Sequence, residues 1–251
     1  METLREKQPM RVLVLSDIHA NLDALNAVLA DAGQFHIVWS LGDIVGYGPE
    51  PNQCIARLNE YEHLAVVGNH DWAVLGKIEM TEFNPDARRS NLWTREQLTP
   101  ASRSYLEELP ETRVEGDFTL VHGSPRDPVW EYLLNVDEAK LSFSYYDTAV
   151  CLVGHTHAPV IFCAAADGSQ CTASRAPDRV PIRLDNSRCI INPGAVGQPR
   201  DGDPRASYML LDTELMTFEY RRIGYEVSET QRKMRAVGLP RSNRMRLALG
   251  W

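Results

Sequence analysis

Five short stretches of the chain end in residues that bind metals or move protons. They are Asp17-Ile18-His19, Gly42-Asp43, Gly68-Asn69-His70-Asp71, His122-Gly123 and Gly154-His155-Thr156-His157. Five of the seven histidines fall within them. Asp17 and His19 are two apart, as are His155 and His157. In an extended segment such residues face the same side, so each pair is expected to aim both side chains into one site. Imidazole and carboxylate without thiolate suits manganese, iron, zinc or nickel rather than calcium or an iron–sulfur cluster. Asp17, His19, Asp43, Asn69, His122, His155 and His157 exceed what one tetrahedral ion needs and suffice for two. A two-ion centre, with ions about 3.5–4 Å apart, needs a bridging ligand and can clamp a phosphoryl group. Asp43, with two carboxylate oxygens, is the natural bridge. Two divalent ions bring four positive charges. Asp17, Asp43 and a bridging hydroxide return three, which leaves one for an anionic phosphate.

These residues sit where strands end. Apolar, β-rich runs at 11–16, 36–41, 64–67, 118–121, 149–153 and 189–191 are bounded by turn residues and read as buried strands. Asn21 is placed to cap a helix through Leu22, Leu25, Val28 and Leu29 that stops at Gly33. Pro51 suits the first position of a second helix carrying Ile55 and Leu58. Strand–helix–strand–helix–strand over 11–67 implies parallel pairing, and ligands bind outside the carboxyl ends of parallel strands. Asn84-Pro85 and Thr99-Pro100 open two further helices, and 137–146 forms a short one. A turn at Asp167-Gly168 suggests a hairpin, and Asp201-Gly202 a turn before strands at 208–211 and 217–223. Ser228 and Gln231 form a capping-box pattern for a late helix ending near Gly238 and Pro240. The expectation is a single α/β domain over 1–251, with a helical insertion at about 72–115 that shapes specificity. Trp72 and Trp130 follow site motifs, although packing is the default role for tryptophan. His36 and His63 open apolar runs and read as boundary histidines.

The whole chain has 251 residues and a formal net charge of −8, which argues against a general nucleic-acid binder. A local cationic site is still compatible with that total, because distant surface charges are screened beyond about 8 Å. Five cysteines, widely spaced and without a C-x-x-C pair, argue against a disulfide framework or zinc ribbon and for a reducing compartment. The apolar run near the N-terminus, Val12 to Leu15, is too short for a signal peptide or a membrane span. A cytoplasmic protein with no membrane partner is expected.

Each motif alone also fits an ordinary turn, but five in order, each behind an apolar strand, do not. The series D-x-H, G-D, G-N-H-D, H-G and G-H-T-H resembles the calcineurin-like metallophosphoesterases over residues 11–212. The stretch from Gly42 to Pro49, with Asn192-Pro193-Gly194, is similar to a small bacterial, phosphodiesterase-like branch. The resemblance implies a four-layer α/β/β/α sandwich of two mixed sheets flanked by helices. It implies one ion on Asp17, His19, Asp43 and His157, and a second on Asp43, Asn69, His122 and His155. It implies phosphoester hydrolysis by a metal-bridging hydroxide, with His70 as general acid, and Mn2+ foremost among suitable ions. Two departures stand out. Protein phosphatases of the superfamily carry G-D-x-V-D-R-G, whereas this chain has Gly46 in place of the second aspartate and Tyr47 in place of the arginine. Asp71 is then the sequence's candidate for orienting His70, and Arg200, with Asn69, for contacting phosphate. Losing a bidentate arginine disfavours a dianionic monoester, so a small phosphodiester substrate is expected. The alternatives are a phosphomonoester, a dinucleoside polyphosphate, or a non-catalytic binding module of the same fold.

Overall fold

The computed structural model describes residues 10–165, 170–185 and 187–251. Among these residues, twelve strands form two six-stranded mixed sheets. The first has the order β3 (His63–Ala65), β2 (Ile37–Ser40), β1 (Arg11–Leu15), β11 (Ala206–Asp212), β12 (Thr217–Ile223), β9 (Ile182–Arg183). The second runs β4 (Thr112–Glu115), β5 (Phe118–Val121), β6 (Val150–Leu152), β10 (Cys189–Asn192), β7 (Val160–Ala164), β8 (Cys171–Ser174). β1, β2 and β3 pair in parallel, as do β5, β6 and β10. The Asp167-Gly168 turn falls outside the described residues.

Side-chain alternation builds the layers. Val12 and Val14 of β1 point into the space between the sheets, where they meet Phe118, Leu120, Val150, Leu152 and Ile191. Leu13 and Leu15 point the other way, onto α1 (Leu22–Asp31) and α2 (Pro51–Leu58). On the far side, Cys151, Val153 and Ile190 pack against α6 (Val136–Ser142). Both faces of the central strands are thus buried, which explains why they read as unbroken apolar runs. Three cores separate four layers, as the α/β/β/α sandwich requires.

Between β3 and β4 lie α3 (Asn69–Leu75), α4 (Pro85–Gln97) and α5 (Pro100–Glu107). Asn84 caps α4 through the amides of Asp86 and Ala87, and Thr99 caps α5 through that of Ser102. The inward face of α4 is Ala87, Ser90, Asn91 and Thr94, at helical spacing but small or polar. The chain closes with α7 (Val227–Ala236) and α8 (Arg241–Leu249), packed on one another around Met234, Leu239 and Leu247.

Two sequence expectations are corrected. The capping box at Ser228 does not form: α7 starts at Val227, the Ser228 hydroxyl turns to Glu226, and Gln231 bonds the Arg244 carbonyl. The cysteine spacing argues against a disulfide framework, yet Cys163 and Cys189 form a disulfide. They are 26 positions apart in sequence but directly opposed in the antiparallel β7–β10 register, a proximity that spacing alone conceals. Among the described residues, no helix is long and apolar enough to cross a membrane.

Candidate metal centre

The five motifs leave the carboxyl ends of five parallel strands, β1, β2 and β3 in one sheet and β5 and β6 in the other. Their side chains meet in the gap between. The convergence does not come from extended backbone, as the two-apart spacing suggests. Asp17, His19, Asp43, His155 and His157 all adopt left-handed conformations, with φ of +53°, +49°, +52°, +64° and +59°. Each costs roughly 1–2 kcal/mol relative to ordinary backbone. Such strain concentrates at functional sites. The surrounding hydrogen bonds hold it in place: His19 N–H donates to the Asp43 carbonyl at 2.9 Å, and Gly154 N–H to that of His122 at 2.8 Å. The Asn192 side chain ties down the last loop, donating to the Gly154 carbonyl at 2.6 Å and the Thr156 hydroxyl at 3.0 Å. The sequence assigned Asn192 no such role.

One ring nitrogen of each clustered histidine faces a backbone carbonyl. His19 Nδ1 lies 3.2 Å from the Val45 oxygen, His122 Nδ1 2.7 Å from Leu41, His155 Nε2 3.1 Å from Trp130 and His157 Nδ1 2.6 Å from Gln198. A carbonyl can only accept, so these nitrogens carry the protons, and in a neutral ring the other nitrogen is a bare lone pair. The other nitrogens face one another: His19 Nε2 is 3.1 Å from His157 Nε2, and His122 Nε2 is 3.1 Å from His155 Nδ1. Asn69 Oδ1 adds an acceptor 3.1 Å from His122 Nε2.

The carboxylates are split in the same way. Asp17 Oδ2 accepts from the Ser16 hydroxyl at 2.6 Å and the His155 amide at 3.1 Å. Asp43 Oδ1 accepts from the His70 amide at 2.8 Å. Their other oxygens, Asp17 Oδ1 and Asp43 Oδ2, are buried without a hydrogen-bond partner. Ligand atoms from Asp17, His19, Asp43 and His157 lie within 4.8 Å of one another, as do those from Asp43, His122 and His155. Two buried carboxylate oxygens and four imidazole nitrogens converge with at most one proton among them, an arrangement that fits a divalent cation.

Electrostatics point the same way. Burial keeps His19, His155 and His157 below the usual imidazole range. Burial also opposes charge on His122, but Asp43 beside it outweighs this and lifts its pKa to about 9. Asp17 and Asp43 stay ionised despite burial because imidazoles, His157 and His122 foremost, hold their carboxyls down. Two carboxylates thus share one imidazolium, and the cluster is left net negative.

His70, on the first turn of α3, is buried against the rings of His19, Tyr47 and Phe83 at centroid distances of 4.9, 4.5 and 5.0 Å. Burial lowers its pKa to about 4. Its partner is not Asp71, whose carboxylate accepts from the amides of Val45 at 3.1 Å, Gly68 at 3.0 Å and Ile44 at 3.4 Å and so ties the Asp43 loop to α3. The place beside His70 belongs to Asn91 of α4, with His70 Nδ1 donating to Asn91 Oδ1 at 2.8 Å. Adjacency in sequence suggested Asp71. The signal for Asn91 was a polar residue on the inward face of a helix. Arg200 lies at the rim, its guanidinium 5.7 Å from the centre of the Tyr47 ring and donating to Gln198 Oε1 at 3.0 Å.

A two-sheet sandwich with such a cluster at its strand ends marks a protein with a built place for divalent metal. The chain belongs to the calcineurin-like phosphoesterase superfamily, whose domain it matches over residues 10–216. It is 46% identical to the metallophosphoesterase of Sphaerobacter thermophilus, with a TM-score of 0.90, covering 97% of this chain and 100% of that one. The uncharacterized protein MJ0912 of Methanocaldococcus jannaschii is 38% identical over 249 residues, 95% of this chain and 98% of its own. The hypothetical protein PH1004 of Pyrococcus horikoshii shares the fold at a TM-score of 0.77 with 19% identity, covering 96% of this chain and 99% of its own. The chain is a metal-dependent phosphoester hydrolase.

Proposed function

We propose that the chain hydrolyses a small phosphodiester at a two-ion centre, with Asp17, His19, Asp43 and His157 holding one ion and Asp43, Asn69, His122 and His155 the other. The observation that carries this reading is the convergence of four imidazole nitrogens on the two carboxylate oxygens that have no hydrogen-bond partner. Divalent ions seated there, Mn2+ foremost, would lower the pKa of a bound water from 15.7 to about 7 and neutralise phosphoryl charge. Asp43 supplies an acceptor to both groups and, through its other oxygen, fixes the His70 amide at the edge of the site. With Nδ1 committed to Asn91, Nε2 is the nitrogen left to face the departing oxygen, and His70 passes a proton from it only in the doubly protonated imidazolium form, which returns to the Nδ1–H neutral ring. Because the resting ring is neutral, with a pKa of about 4, leaving groups that need little protonation are turned over best. Tyr47 in place of a clamping arginine, with Arg200 beside it at the rim, suits the single charge of a diester better than a monoester dianion.

A hydrolysis panel tests this: an aryl phosphodiester, an aryl phosphomonoester, cyclic nucleotides and a dinucleoside polyphosphate, each with Mn2+ and with chelator. The diester should be hydrolysed fastest, and chelation should stop turnover until Mn2+ is returned. A preference for the monoester would reverse the substrate assignment, and activity indifferent to chelator would remove the metal.

Metal loading should also release protons. In the metal-free protein His122 is protonated up to about pH 9, and an ion must displace that proton. At pH 7, His122 is therefore expected to give up close to one proton per chain on binding, in addition to what a metal-held water releases, with apparent affinity rising with pH until about 9. Calorimetry in buffers of different ionisation enthalpy reads the proton count directly.

A further inference from the structure

The geometry points to Asn91 as the positioning residue of His70, reaching in from α4 through space that Gly46 leaves open. This rests on the reading of His70 as the group that faces the leaving oxygen. Four observations carry it. Asn91 Oδ1 is 2.8 Å from His70 Nδ1 and, as an acceptor, fixes the proton on that nitrogen. Asn91 is fully buried, yet its Nδ2 has no partner, so the amide is a poor choice for packing alone. A Cβ at position 46 would stand 2.6 Å from His70 Nδ1 and 3.0 Å from Asn91 Oδ1, and Gly46 has φ of +90°. Finally, α4 is anchored from behind by Asn243 of α8, whose Nδ2 donates to the Ser90 hydroxyl at 2.9 Å. Position 46, where the protein phosphatases carry an aspartate, holds no side chain here. An uncharged amide from a different part of the chain stands against the imidazole instead. The helical segment between β3 and β4 thus contributes the group that orients His70.

The imidazole 15N resonances of the metal-free protein provide a readout independent of turnover. Wild type should show His70 protonated at Nδ1 and bare at Nε2. Asn91→Leu, which keeps the branched shape and removes the acceptor, should move that proton towards Nε2. The loaded Asn91→Leu enzyme should lose kcat by about 10- to 100-fold, with KM and ion content unchanged. Asn91→Asp restores an acceptor at the same place and should recover the Nδ1 proton and most of the turnover. An unchanged 15N pattern in Asn91→Leu, or a kcat loss that Asn91→Asp does not rescue, would overturn the proposal. His70→Ala run alongside separates the two readings: wild-type turnover in that variant defeats the assignment of His70 itself. Loss in His70→Ala with none in Asn91→Leu defeats Asn91 alone.

Discussion

Asp43→Asn is expected to reduce bound metal from two ions to at most one per chain and turnover by about 10³-fold or more, the scale seen when one member of a catalytic unit is removed. No other side chain in the site is shared so widely. Asp43 Oδ2 lies 3.3 Å from His122 Nε2 and 3.7 Å from His19 Nε2, so it belongs to both ligand groups. The amide is isosteric and can still accept from the His70 backbone through one oxygen. It would then turn an NH2 towards the ligand nitrogens where an unpaired carboxylate oxygen now stands. The fold should survive, because the three apolar cores do not include this residue. Metal analysis beside a thermal melt separates loss of ions from loss of structure. Two ions and full turnover in this variant would remove the shared-carboxylate arrangement.

His70→Ala should keep its metals and lose turnover by about 10²-fold on an alkyl diester, the lower end of the ~10²–10⁴ range for a general acid. The lower end is expected because the buried ring rests neutral, with a pKa near 4. An aryl diester, whose leaving group departs with little help, should lose less. The ratio of the two losses is the diagnostic quantity, since a variant with a merely damaged site slows both equally. Full activity on the alkyl ester would take His70 out of the reaction.

Much of this site was legible before any coordinates, for a simple reason. A parallel sheet places the residues after each strand at one edge, so order and strand position sufficed to gather Asp17, Asp43, Asn69, His122 and His155. The local geometry was not legible. Extended alternation gave the right convergence for the wrong cause, because left-handed backbone at Asp17 and His19 depends on carbonyls from the neighbouring strand loop. Asn91 escaped notice because one asparagine on a helix face looks like any solvated position until tertiary packing turns it inward. Asn192 looked like part of a turn, since its partners at Gly154 and Thr156 are 38 and 36 residues away. The Cys163–Cys189 bridge depends on a strand register that the spacing of cysteines does not encode.

The ligand groups come from opposite halves of the sandwich: Asp17, His19, Asp43 and Asn69 follow strands of one sheet, and His122, His155 and His157 follow strands of the other. Ions bound there would rivet the two sheets together along a seam otherwise closed by apolar contact. Any species that binds only the native state stabilises it by RT ln(1 + [L]/Kd), and here that increment would fall on the joint between the halves. Starving the protein of metal would therefore loosen the sandwich at that joint, coupling mineral supply to mechanical integrity as well as to rate.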